Sequence, residues 1–143
     1  MAPATVRFYV DADILGLAKV IARLRNDVTY PGDPGAVIHR RQRPACPVES
    51  PATPDRDWIP IVAARGWLAV TRDFKIRENR AEIEAVRSSG CRMVALSPRD
   101  GRDTWSQLEV FMSQWRAIEG LTQRQGPFIV VASRTGLAEV DLS

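Results

Sequence analysis

Short apolar runs alternate with segments of helical spacing along this chain, and that alternation restricts the fold more than any other feature. VRFYV (6–10) is rich in β-branched and aromatic residues and stops at an acid. ADILGLAKVIARLR (12–25) follows, with Ile14, Leu17, Ala18, Ile21 and Leu24 on one helical face. The pattern recurs. DWIPIVAARG (57–66) reads as a helix leading into the strand WLAVT (67–71), and RAEIEAVRSSG (80–90) as a helix leading into CRMVALS (91–97). TWSQLEVFMSQWRAIEGL (104–121) reads as one long helix, with Trp105, Leu108, Phe111, Met112, Trp115 and Ile118 recurring at helical spacing as a core stripe, before the strand FIVVAS (128–133), with GLAEVDLS folding back after a turn at Gly136. Strands alternating with helices imply a mostly parallel sheet covered on both faces, a three-layer α/β/α sandwich. With 143 residues and no internal repeat, the expectation is a single domain spanning 1–143.

Residues 27–54 are the exception. They hold six prolines and two glycines, with short strands expected near 28–30 and 36–38. Arg40 to Pro54 reads as a long exposed loop, a kind of segment that usually carries substrate or partner contacts.

Acids punctuate the pattern. Asp11 and Asp13 follow the first strand, Asp55 and Asp57 open a helix, and Asp73 follows WLAVTR. In an open α/β sheet, the carboxyl ends of the strands and the adjacent helix starts line the ligand crevice. Carboxylates gathered there repel one another unless a cation lies between them. An oxygen-only donor set suits Mg2+ or Mn2+. The plainer reading is helix capping, by Asp11 or Asp13 for the first helix and by Asp55 or Asp57 for the next. Capping of the first helix cannot account for both Asp11 and Asp13.

The charge balance is mildly basic, 20 Lys+Arg against 17 Asp+Glu. Arg40, Arg41 and Arg43 form one cluster, for which a solvated surface is an equal alternative. Arg72, Lys75, Arg77 and Arg80 form another beside the acids, as a phosphate-binding rim would. Nucleotide-binding glycine loops of the GxxxxGK[ST] or GxGxxG kind are missing. His39 is the only histidine, and no serine elbow accompanies it, which argues against zinc and Ser/His/Asp chemistry. Cys46 and Cys91 show no CxxC spacing, so free thiols are expected. No run approaches the length of a membrane span, and MAPATVRFYV lacks a signal-peptide pattern, so a cytoplasmic protein is expected.

YVDADILGLAKVI resembles the opening of PIN domains, and PDRDWIPIVAARGWLAVTRD resembles a signature of PIN-like proteins of the toxin–antitoxin (VapC) type. The resemblance covers about residues 6–97. It implies a Mg2+- or Mn2+-dependent ribonuclease, a toxin held by a cognate antitoxin, and commonly a homodimer. By position it implies that Asp11, Asp55 and Asp73 are the catalytic metal-binding acids, with Asp13 and Asp57 as further ligands or supporting groups. The commoner PIN pattern has another acid near the last strand, for which Asp100 and Asp103 are the nearest candidates. Phosphate contacts are expected from Arg72, Lys75, Arg77 and Arg80. The rival expectation is a domain of the same fold that binds nucleic acid or protein without catalysis. The long helix and the loop at 40–54 are the expected docking surfaces.

Overall fold

A computed structural model describes residues 1–72 and 75–143. Strand β1 (Phe8–Val10) leads through a 3-10 turn at Ala12–Ile14 into helix α1 (Leu15–Leu24) and then β2 (Val28–Thr29). A hairpin of β3 (Ala36–Ile38) and β4 (Arg41–Arg43) precedes α2 (Asp55–Ala64). Next come β5 (Leu68–Arg72), a 3-10 turn at Ile76–Glu78, α3 (Arg80–Ser89) and β6 (Arg92–Leu96). Helices α4 (Thr104–Ser113) and α5 (Trp115–Leu121) lead to β7 (Phe128–Ser133) and β8 (Gly136–Glu139).

Six strands form one sheet in the order β2-β1-β5-β6-β7-β8. All neighbours pair in parallel except β7 and β8. The sheet is buried on both faces, as its nearly unbroken apolar strands require. On one face Phe8, Val10, Leu68 and Val70 pack with residues of α1, α4 and α5, including Leu17, Phe111 and Ile118. On the other, Tyr9, Ala69 and Met93 pack with residues of α2 and α3, including Trp58, Ile59 and Val86. The expected α/β/α layering is therefore present.

The pairing register sets up the site. Phe8, Tyr9 and Val10 lie opposite Leu68, Ala69 and Val70. Because side chains alternate between faces, Asp11 and Thr71 come next, both on the α2/α3 face. From β1 the chain proceeds to β2 on one side, and β5 leads to β6 on the other. The strand order thus reverses between β1 and β5, where an open α/β sheet forms its ligand crevice.

Several local expectations need correction. The segment after Arg40 is not a simple exposed loop: β4 pairs with β3, and Arg43, Cys46 and Val48 are buried. Helix α2 starts at Asp55 rather than Asp57, with Pro54 at its N-cap and no side-chain cap. Pro60 therefore lies inside the helix. The long helix is interrupted at Gln114, whose side-chain amide donates to the Arg134 carbonyl oxygen at 3.2 Å. Beyond the break, Trp115 packs against Phe8 with ring centroids 5.3 Å apart. Trp105 and Met112, expected in the core stripe, are 78% and 66% exposed. Both cysteines are free and buried. Among the described residues, no helix is long and apolar enough to cross a membrane.

Candidate functional site

Asp11 directly follows β1 and is buried. It caps the 3-10 turn, its Oδ1 accepting from the Ala12 N–H at 2.7 Å. The plain capping role is therefore real and belongs to Asp11. Its own N–H donates to the Val70 carbonyl at 2.9 Å, which locks the residue to the adjoining strand. Asp13 sits one step along that turn. The residue is exposed, but its carboxylate folds back over the end of β5. Its Oδ2 accepts from the Thr71 hydroxyl at 2.8 Å and the Arg72 N–H at 3.2 Å. The same hydroxyl lies 3.4 Å from Asp11 Oδ2, so Thr71 bridges the two acids.

Asp55 opens α2 above this edge. The Trp58 indole N–H donates to its Oδ1 at 2.9 Å, one helical turn on. Trp58 in turn stacks on Tyr9, with centroids 4.9 Å apart. Tyr9 is fully buried, and its hydroxyl has no hydrogen-bond partner among the described residues. Burial first, then the charges of Asp11, Asp55 and Asp13, push the phenol far above its ordinary range.

The carboxylates act on one another. Burial, then the neighbouring Asp13 charge, with smaller contributions from Asp55 and Glu82, push Asp11 up to about 8. Burial also raises Asp13, while the bonds from Thr71 and the Arg72 N–H oppose the rise. Such a cluster holds excess negative charge in a poorly hydrated place. Among the described residues, no lysine or arginine forms an ion pair with Asp11, Asp13 or Asp55.

Not every expected residue joins the cluster. Asp57 is exposed in the first turn of α2 and is not among the principal charges acting on Asp11, Asp13 or Tyr9. Asp73 lies outside the described residues. Asp100 accepts from the Arg134 N–H at 3.1 Å, and Asp103 caps α4 by accepting from the Ser106 N–H at 2.8 Å. Both have local structural work. Glu82 was missed from sequence. It stands in the first turn of α3 behind the N-cap Asn79, whose side chain accepts from the Glu82 N–H and donates to Glu82 Oε2. The N-x-x-E spacing at a helix start was the available signal.

The basic residues occupy the same edge of the sheet. Arg72 ends β5, and its buried Nε has no hydrogen-bond partner among the described residues. Lys75, in a left-handed conformation (φ 58°), and Arg77 are exposed around the 3-10 turn that follows, and Arg80 opens α3. Arg77 borders a shallow depression with Ser97, Ser133 and Thr135 at the ends of β6 and β7.

A sequence profile described as a PIN like domain matches residues 6–98, almost two thirds of the chain. This chain belongs to the PIN-like domain family. The match runs from β1 to just beyond β6, so it contains the whole acidic cluster. Neither the curated proteins nor the solved structures include a significant match to it. PIN domains are generally nucleases, and a nuclease-type function is the family's suggestion for this PIN-like chain.

The donor chemistry bears on a cation. Among the described residues, no three His, Cys, Asp or Glu side chains are grouped closely enough to hold a metal ion. Mg2+ does not need such a cage. It keeps several waters and typically binds through one or two carboxylates plus substrate phosphate. Asp11 and Asp13, hard oxygen donors drawn together by Thr71, fit that mode.

Proposed function

We propose that this PIN-like chain is a Mg2+- or Mn2+-dependent endoribonuclease and the toxin of a toxin–antitoxin pair. The observation that carries the reading is the meeting of Asp11 and Asp13 at the β1/β5 switch point, with Asp55 and Glu82 close enough to raise the proton affinity of Asp11. Asp11 and Asp13 would hold the cation, with Asp55 and Asp73 as further donors. When bound, the cation supplies a water of lowered pKa and neutralises charge on the phosphoryl group. Thr71 orients the Asp13 carboxylate and touches that of Asp11, which the Ala12 N–H holds. The Trp58 indole fixes Asp55. Arg72, Lys75, Arg77 and Arg80 would hold the RNA phosphates at the rim.

The decisive test is cleavage of a labelled single-stranded RNA with Mg2+, with Mn2+ and with EDTA. Cleavage that requires either cation supports the reading. No cleavage under any condition, with RNA still bound, favours a non-catalytic binding domain. The toxin role predicts growth arrest on expression, relieved by the product of an adjacent reading frame. For that antitoxin, or for a homodimer, the exposed Trp105 and Met112 on α4 offer apolar contact area.

Thr71→Val tests the metal reading separately from catalysis. The change is nearly isosteric but removes the donor shared by Asp13 and Asp11. Groups that orient metal ligands typically contribute 10–100-fold to affinity. Calorimetric titration with Mn2+ should therefore show binding weakened by roughly tenfold or more. Unchanged affinity would reduce Thr71 to a sheet residue.

A further inference from the structure

We propose that the β3–β4 hairpin and the adjoining face of α1 form a second RNA-binding surface, which holds the strand where it runs on from the acidic cluster. The inference rests on RNA being the substrate. It starts from a strained turn. His39 and Arg40 connect β3 to β4, with Ile38 opposite Arg41, and both have positive φ, 51° and 64°. A two-residue hairpin turn of this hand normally uses asparagine and glycine. Here two long polar side chains occupy it, and strain of this kind persists only where surrounding structure imposes it.

The surroundings do impose it. The His39 ring donates from Nε2 to the Leu24 carbonyl at 3.0 Å, and Asn26 donates to the Ile38 carbonyl at 3.2 Å. Arg43 donates to the carbonyls of Ala22 at 3.0 Å and Arg25 at 3.3 Å. The hairpin is thus clamped to the end of α1. Between them lies a groove of about 330 Å³ whose walls include Lys19, Arg23, Tyr30 and Ile38.

The charges on this surface are uneven. Two acids of this region are already engaged: Asp27 pairs with Arg7 and Arg25, and Asp33 with Arg43. Lys19, Arg23, Arg40 and Arg41 are exposed, and none forms an ion pair among the described residues. Lys19 and Arg23 are one helical turn apart, a like-charge spacing that weakens a helix. Helix α1 starts at Leu15, two residues after Asp13, and Lys19 and Arg23 lie about 6 Å and about 12 Å along it from that start. Arg40 and Arg41 lie on the hairpin that is clamped to the far end of that helix. A line of unneutralised cations leading away from a phosphodiester-cleaving site matches a linear polyanion. The half-buried Tyr30 ring adds an aromatic wall on which a base can stack.

The test is fluorescence anisotropy with a labelled 15-nucleotide single-stranded RNA in EDTA, over a range of salt. The parent is compared with the variant Lys19→Ala/Arg23→Ala/Arg40→Ala/Arg41→Ala, its fold checked by circular dichroism. Each lost phosphate contact flattens the log–log salt dependence by roughly 0.7, so all four should flatten it by nearly 3 and weaken binding at least tenfold at low salt. Arg40→Lys/Arg41→Lys should keep the parent slope. An unchanged slope in the quadruple variant overturns this surface and leaves the acidic site's assignment standing. A parent that binds no RNA in EDTA overturns this surface, and the cleavage test with Mg2+ or Mn2+ decides the acidic site separately. Displacement of the RNA by polyglutamate of equal charge at equal concentration would make the surface an acidic-protein site and overturn the RNA assignment.

Discussion

Asp11→Asn is expected to abolish cation-dependent RNA cleavage and at the same time make the protein more stable at pH 8. The two effects have one cause. Asp11 is almost fully buried beside another carboxylate, and its carboxyl is pushed up to about 8 from an ordinary 3.8. The folded protein therefore binds that proton more tightly than the unfolded chain does. Stability is fully present below about pH 4 and is lost as pH rises towards 8. Asp13 is raised by burial as well and acts in the same direction. Asparagine keeps the cap on the Ala12 N–H, since its carbonyl oxygen can accept the same bond. It removes the desolvated charge, and with it a cation ligand. A gain of roughly 1–2 kcal/mol at pH 8 is expected, of the size that often accompanies loss of a strained functional group. Thermal melts in EDTA should show the parent losing stability from pH 5 to pH 8 and the variant losing much less. Adding Mg2+ should restore the parent and leave the variant unmoved. An Asp11→Asn protein that cleaves RNA, or that is less stable than the parent at pH 8, would remove the basis for treating this cluster as a cation site.

Much of this arrangement was legible because its signals are local. The run VRFYV reads as a buried strand, and parallel strands in such a sheet carry their functional groups at the carboxyl end. Asp11 was therefore placed at that edge without knowing its neighbours. Asp55 was placed the same way, at a helix start. Glu82 was not, since its approach to Asp11 depends on α3 crossing the same edge as α2, a tertiary fact. The hairpin was missed for a related reason. Arg41, Gln42 and Arg43 look like a solvated basic loop, yet Arg43 is drawn inside by Asp33, ten residues away. The break at Gln114 was hidden because the residues around it keep helical spacing on both sides. Trp105 and Met112 fit the stripe of a straight helix pointing at the core, but the observed α4 buries Gln107, Val110 and Phe111 instead.

Breaking the Arg43–Asp33 pair is expected to have the largest effect on folding. Arg43 Nε donates to Asp33 Oδ2 at 2.7 Å, with the two side chains 3% and 0% exposed. Thr29 adds a hydroxyl bond to the same oxygen at 2.9 Å, and the Gly35 N–H donates to Oδ1 at 2.9 Å. Arg43 then spans to the carbonyls at the end of α1. One ion pair thus ties together β2, the hairpin and α1, across a stretch rich in proline and poor in regular structure. Removing either partner leaves the other charged and buried, which costs about 3–5 kcal/mol. Asp33→Asn and Arg43→Met should each lower the denaturant midpoint sharply. The double variant Asp33→Asn/Arg43→Met should recover part of the loss, because no orphan charge remains. Urea unfolding of the parent, both single variants and the double variant measures this coupling directly. Single variants within 1 kcal/mol of the parent would show that the pair is solvated in solution and that the hairpin is held by its backbone bonds alone.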